Sequence, residues 1–217
     1  MILVPVKNLA QAKQRLSPLL TAAERQALAS AMLEDVLTAL AASSVPSKVA
    51  LVTADQDAVG LAGRFSFDVI EDRENLGESE AIAMATRISE EHGEPEVLVL
   101  PADIPLVTPD EIERIFSVAP PRGTVIVPCW EERGSNAVLR RPASLFSLNF
   151  GNDSFHPHLR AAEVAGPCMV LRLPGIALDV DRPGDLARLL SAPGNTRAQQ
   201  LARPWNISER LAAAIPA

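Results

Sequence analysis

Short apolar runs alternate with stretches of helical periodicity along this chain, and that alternation limits the folds open to it more than any other feature. ILVPV at residues 2–6 reads as a buried first strand. TAAERQALASAMLEDVLTAL follows, with Thr21 and Glu24 as a capping pair and Leu28, Met32, Val36 and Leu40 on one helical face. KVALVT, a short helix near DAVGLAGRF, the strand FDVIE, and a helix through SEAIAMATRISEEHG stopped by Gly93 continue the pattern. EVLVLPADIPLVTPDEIERIF then supplies a strand, a turn, and a helix opened by Thr108, Pro109 and Glu111. Such β–α units predict an α/β fold with a mostly parallel, twisted sheet and right-handed crossovers.

The second half is less regular. TVIVPC and NAVLRR read as strands joined by a polar loop, FGNDSFHPHLRAA as a turn leading into a helix, and CMVLR and ALDVD as late strands. RPGDLARLL is a closing helix with Pro183 and Asp185 in its first turn. A chain of 217 residues, 47% hydrophobic, suits one domain, here 1–191, with a small appendage at 192–217. The appendage reads as two weak helical pieces around Pro204 and Trp205, docking on the domain or on a second subunit of a homodimer.

Charge narrows the partners. A net charge of -7 provides no broad basic field, so nucleic acid is not expected and any anion handled must be small and locally recognised. No apolar run approaches the roughly 20 residues of a membrane span and nothing resembles a signal peptide, so the expectation is a cytoplasmic protein without a membrane partner. Cys129 and Cys168 lack metal-ligand spacing and read as reduced packing thiols, with a reactive pair as the alternative. His156 and His158 have no third His or Cys nearby, so a transition-metal site is not expected, although His158 remains a hydrogen-bonding candidate. Trp130 and Trp205 are expected to pack, and the EDREN run to form a solvated strand exit.

The hand-over from first strand to first helix is chemically unusual. Phosphates in this crevice of α/β proteins usually sit on glycine-rich loops, yet VKNLAQAKQRL has no glycine and offers Lys7, Lys13 and Arg15. Asp103 follows the apolar run VLVLP, and Asp179 and Asp181 end another such run, so all three are expected at the carboxyl edge of the sheet. Two readings stand: the aspartates cap the helices that follow, or they hold Mg2+ beside a phosphate gripped by the cations.

The segments VPVKNLAQAKQRL, VLPADIPLVTPDE, GSNAVL, FGNDSFHPHL and LPGIALDVDRPGDLARLL stand in the order and spacing of the guanylyltransferases of coenzyme F420 biosynthesis. Over about residues 1–191 the chain resembles the 2-phospho-L-lactate guanylyltransferase family, including its phosphoenolpyruvate-using members. The resemblance implies a three-layer, Rossmann-like nucleotidyltransferase of the nucleotide-diphospho-sugar transferase type. It implies GTP and a small phosphorylated acid as substrates and Mg2+ as cofactor. It places nucleotide binding at Pro5, Val6, Lys7, Lys13, Arg15, Gly77, Ser79 and Pro101, and catalysis at Lys13 and Asp103. Metal binding falls on Asp103, Asp179 and Asp181, and acceptor binding on Ser135, Gly151 and Ser154. The chain departs from its relatives at GESEAI, where they read Gly-Leu-Asn-Ala-Ala-Leu, so that Ser79 replaces an asparagine and Glu78 and Glu80 are added. It departs again at EERGSN, where they commonly read Gly-Thr-Gly-Thr-Asn. A nucleotidyltransferase with another nucleotide or a sugar-phosphate acceptor is the alternative enzyme. A non-catalytic nucleotide-binding descendant is the alternative of another class, disfavoured because Lys7, Lys13, Arg15, Asp103 and Asp181 are all retained.

Overall fold

The computed structural model describes residues 1–74, 76–151 and 153–214; Asn75 of EDREN, Asn152 of FGNDSF and residues 215–217 of the tail lie outside the described residues. The first half builds the expected units: β1 (Ile2–Pro5), α1 (Ala22–Ala42), β2 (Val49–Val52), α2 (Gln56–Arg64), β3 (Asp68–Ile70), α3 (Glu78–Glu91), β4 (Val97–Val99) and α4 (Pro109–Val118). Capping boxes start α1 at Thr21 and Glu24, and α4 at Thr108 and Glu111. The second half contributes β5 (Gly123–Pro128), β6 (Ser135–Arg141), α5 (Phe155–Ala165), β7 (Cys168–Val170), the short α6 (Pro174–Ala177) and α7 (Pro183–Ser191).

The seven strands form one sheet in the order β3-β2-β1-β4-β6-β5-β7. Pairing is parallel except at β6, which runs against both β4 and β5. Alternate strand residues separate the core into two layers. Ile2, Val4, Leu51, Leu98 and Leu139 pack with Leu33 of α1, Leu61 of α2 and Ile112 of α4. Leu3, Val52, Val99 and Val138 pack with Ile82 of α3 and with Phe155 and Ala162 of α5. The chain order reverses between β1 and β4, which opens a crevice beyond their carboxyl ends. Because β6 is antiparallel, its first residues, Ser135 and Asn136, reach that same edge.

ALDVD is not a strand. Leu178 and Val180 are buried, but they join a third cluster with Leu16, Leu186 and Leu189, outside the sheet. A backbone bond from Val180 N to the Asp103 carbonyl, 3.0 Å, ties this strap to the loop after β4. The alternation that suggested a strand therefore anchors a strap on a helical layer. Trp130 also differs from expectation: it is 64% exposed, with the Arg188 guanidinium 5.6 Å from its ring centre. Trp205 packs against the third cluster. Burial pushes the Cys168 thiol up to about 11, and Cys129 Sγ accepts from Gly134 N at 3.1 Å.

The tail docks on the domain. Ala198 and Ala202 of α8 (Arg197–Ala202) and Ile207 of α9 (Ile207–Ala214) join the cluster that holds Leu28 and Met32 of α1. Asp35 of α1 accepts from Arg197 N at 2.8 Å and Ala198 N at 2.9 Å, and Arg210 donates to Glu24 Oε1 at 2.9 Å. Among the described residues no helix is long and apolar enough to cross a membrane. Asp35 thus caps a helix on another part of the chain. Asp35→Ala is expected to lower stability by about 1–2 kcal/mol, read from urea unfolding. An unchanged midpoint would mean the tail is held by its apolar contacts alone.

Candidate active site

The loop after β1 is rigidly placed, which matters because it aims Lys13. Leu9 and Leu16 are buried on either side of it, Leu9 N donates to Asp55 Oδ2 at 2.9 Å, and Asn8 Oδ1 accepts from Gln11 N at 3.1 Å. Between these anchors Lys13 adopts φ 57° and ψ 38°, the left-handed conformation, which for a non-glycine residue costs on the order of 1 kcal/mol. That conformation sends its side chain, 8% exposed, into the crevice. Nζ lies 2.5 Å from Asp103 Oδ2 and 2.8 Å from Asp181 Oδ1, while Arg15 Nη1 is 3.4 Å from Asp181 Oδ2. Burial alone would lower the Lys13 pKa, but Asp103 and Asp181 outweigh it and hold the ammonium above its ordinary value. Burial likewise raises Asp181, and Lys13, Arg15 and Arg182 outweigh it and hold that carboxyl below its ordinary value.

This ion cluster separates two clefts. The first, of about 400 Å3, is lined by Pro5, Val6, Lys7, Lys13, Pro101 and Asp103 of the expected set, and by apolar Leu9, Ala29 and Met32. Glu78 and Asp72 also line it. Gly77 starts α3 at φ 145°, where an added Cβ would meet Glu80 Oε2 at 2.7 Å. Ser79 is not part of this lining: its hydroxyl accepts from Phe150 N at 2.8 Å. Burial and Asp103 push the Glu78 carboxyl up, with Lys7 partly opposing them.

The second cleft, of about 170 Å3, is lined by Gly151, Asn136, Asp179 and Asp181, by Arg15, Arg133, Arg182 and Arg188, and by Glu131, Asp153 and Asp185; Asp153 pairs with Arg133 at 2.6 Å and Asp185 lies 3.9 Å from Arg188. Ser135 and Ser154 do not line it. They are buried behind its wall, where Ser135 N donates to Ser154 Oγ at 3.2 Å and His158 Nδ1 lies 3.0 Å from Ser135 Oγ. Asp179 is engaged separately from the ion cluster. Its Oδ1 accepts from Asn136 Nδ2 at 3.0 Å, and burial pushes its carboxyl up against the opposing effect of that bond. The three arginines 133, 182 and 188 escape the sequence reading because arginines outside a buried run usually mean solvated surface. Their signal in the sequence was their place inside the segments EERGSN and LPGIALDVDRPGDLARLL.

The donor set suits a hard divalent cation. Asp103 and Asp181 each present an oxygen to the Lys13 ammonium, and Mg2+ is commonly held by one or two carboxylates with water and phosphate completing the shell. Among the described residues no three His, Cys, Asp or Glu side chains gather at metal-ligand spacing; Asp179, the third carboxylate expected at a metal, accepts from Asn136.

A family model described as "Guanylyl transferase CofC like" matches residues 1–211, which takes in most of the docked tail. The chain is 34% identical over 187 residues to a phosphoenolpyruvate guanylyltransferase of Sphaerobacter thermophilus, covering 86% of this chain and 90% of that protein. It is 31% identical to a 3-phospho-D-glycerate guanylyltransferase of Colwellia psychrerythraea, with 93% and 97% covered. It is 30% identical to a 2-phospho-L-lactate guanylyltransferase of Methanothermobacter thermautotrophicus, with 93% and 88% covered. A solved structure from Desulfovibrio desulfuricans G20, described as a candidate nucleotide-diphospho-sugar transferase, matches with a TM-score of 0.78 at 18% identity, covering 96% of each chain. The fold is therefore of the nucleotide-diphospho-sugar transferase type.

Removing the central cation should expose what it balances. Lys13→Met is expected to destabilise the protein at pH 7 by about 1–2 kcal/mol, less than for a fully buried pair because Asp181 is 39% exposed. In the wild type Asp181 is held below its ordinary 3.8, so its contribution is present above that pH and lost as pH falls through the lower folded value. The gap between the two proteins should accordingly close in acid, below pH 3.8. Urea unfolding at several pH values checks this; a gap independent of pH would mean the lysine acts only by packing.

Proposed function

The chain belongs to the CofC-like guanylyl transferase family, and on that premise we propose that it transfers GMP from GTP to a phosphorylated three-carbon acid with release of pyrophosphate. Following the sequence resemblance, the reaction serves coenzyme F420 biosynthesis. The observation that carries this reading is the Lys13–Asp103–Asp181 cluster standing between a larger, partly apolar cleft and a smaller polar one in which four arginines stand among carboxylates.

GTP occupies the first cleft, with its base over the apolar lining and its phosphates toward Lys7, Lys13 and Arg15. Guanine N1–H and its exocyclic amine need a carboxylate acceptor, and Asp72 or Glu78, both on the cleft wall, supplies it. The acid occupies the second cleft, its charges met by Arg15, Arg133, Arg182 and Arg188. An oxygen of the acceptor phosphate attacks the α-phosphorus; the bond from that phosphorus to the α–β bridging oxygen breaks, and its electron pair leaves with pyrophosphate. A phosphate monoester is largely deprotonated at neutral pH, so no general base is required. Lys13, held as an ammonium, stabilises the developing charge without giving up its proton. Asp103 and Asp181 would hold Mg2+, which supplies further charge neutralisation at the phosphates when bound. Asn136 keeps Asp179 oriented beside them.

A pyrophosphate-release assay crossing four nucleoside triphosphates with 2-phospho-L-lactate, phosphoenolpyruvate and 3-phosphoglycerate tests the assignment. GTP should exceed ATP in kcat/KM by at least about tenfold, with one acid clearly preferred. A GTP-to-ATP ratio near one would remove the guanylyl assignment and leave a less selective nucleotidyltransferase; no release with any pair would leave a nucleotide-binding protein. In the same assay Asp103→Asn, nearly isosteric and at a partly exposed position, should abolish turnover while circular dichroism stays that of the wild type. Wild-type turnover by that variant at saturating Mg2+ would remove Asp103 from the reaction.

A further inference from the structure

The loop between β6 and α5 is fastened through its backbone before it reaches the second cleft. Arg140 Nη1 donates to the Phe146 carbonyl at 2.6 Å, Asn149 N donates to His158 Nε2 at 3.0 Å, and Phe150 N donates to Ser79 Oγ at 2.8 Å. The next residue, Gly151, lines the second cleft.

The bonding fixes the histidine's tautomer. Nε2 accepts from Asn149, so the ring proton sits on Nδ1 and is donated to Ser135 Oγ, 3.0 Å away. Ser135 N in turn donates to Ser154 Oγ at 3.2 Å. Only a neutral imidazole can make this pair of bonds; burial, aided by Arg140, holds the His158 pKa down to about 4. Phe150 meets the imidazole edge-on, with ring centres 5.1 Å apart. Ser79 reaches the same loop from the opposite direction. It is the second residue of α3, directly after Glu78 on the nucleotide-side wall, so its hydroxyl joins the wall of one cleft to the rim of the other.

We propose that Ser79 and His158 are positioning residues for the phosphorylated acid: through the amides of Phe150 and Asn149 they fix the loop that presents Gly151 to the second cleft, and neither contacts the nucleotide. Where the sequence suggested that Ser79 serves the nucleotide, this places it in service of the acceptor. The inference rests on the guanylyltransferase reading.

The test compares Ser79→Ala with Ser79→Thr, and His158→Leu with His158→Gln. Threonine keeps the hydroxyl, and glutamine keeps one acceptor and one donor on neighbouring atoms, much as the two ring nitrogens do. Three quantities are read: KM for the preferred acid, KM for GTP, and amide hydrogen exchange across residues 149–151. Ser79→Ala and His158→Leu should each raise the acid KM by about threefold to tenfold and speed exchange at Asn149 and Phe150, while the GTP KM stays within about twofold. The threonine and glutamine variants should lie close to wild type. An acid KM that does not move, or acid and GTP KM values that rise together, overturns the proposal. If His158→Leu does not fold, the Ser79 pair decides alone, since alanine is well tolerated in a first helical turn. A wild type silent with every acid strikes the guanylyl reading and takes this inference with it. An active wild type with unmoved acid KM in the variants strikes this inference alone.

Discussion

A lysine ammonium buried between two aspartates organises the reactive edge of this molecule. Lys13, Asp103 and Asp181 come from the start, middle and end of the domain, and their contact pins the loop after β1, the loop after β4 and the strap before α7 to one point. None of these segments is regular structure there, so the ion cluster supplies the order that a strand or helix would otherwise give. Around it, burial pushes the Glu78 and Asp179 carboxyls up, and Asp103 adds to the effect at both.

The neighbouring chain geometry serves that point. Asp185 Oδ2 accepts from Asp181 N at 3.2 Å and Arg182 N at 2.8 Å, so the strap turns into α7 with the Asp181 side chain directed at Lys13. On the other side, the left-handed backbone of Lys13 is tolerated only because Leu9, Leu16 and Asp55 fix the loop around it. Local strain and the ion cluster therefore coincide at one residue.

Most of the architecture was legible because its causes are local. Thr21 with Glu24 and Thr108 with Glu111 announce helices by capping chemistry that operates within one turn, and the structure contains both boxes. Lys13 and Asp103 were legible as a pair because strand ends in a parallel sheet share an edge. What remained hidden depends on contacts distant in sequence. The Leu178 and Val180 alternation looks like a strand until Leu16, Leu186 and Leu189 are seen to receive it. Ser135 and Ser154 have the right chemistry for a ligand, but His158 and one another consume part of it in the interior. Arg133, Arg182 and Arg188 converge only because the strap folds back beside the β5–β6 loop. Trp130 looks like core by composition but stands exposed, with the Arg188 guanidinium over its ring as its partner.

The reversal of β6 within an otherwise parallel sheet divides the chain in a way that reaches beyond packing. The first cleft is drawn from residues 5–103, whereas the second, Arg15 apart, is drawn from residues 129–188. Under the proposed reading, nucleotide and acceptor are then recognised by largely successive portions of the chain, with Arg15 and Ser79 reaching across from the first to the second and the ion cluster as their common border. Selection can rework the downstream portion for a new acid while the upstream portion remains untouched, so a lineage built on this plan can diversify its products without giving up its nucleotide donor.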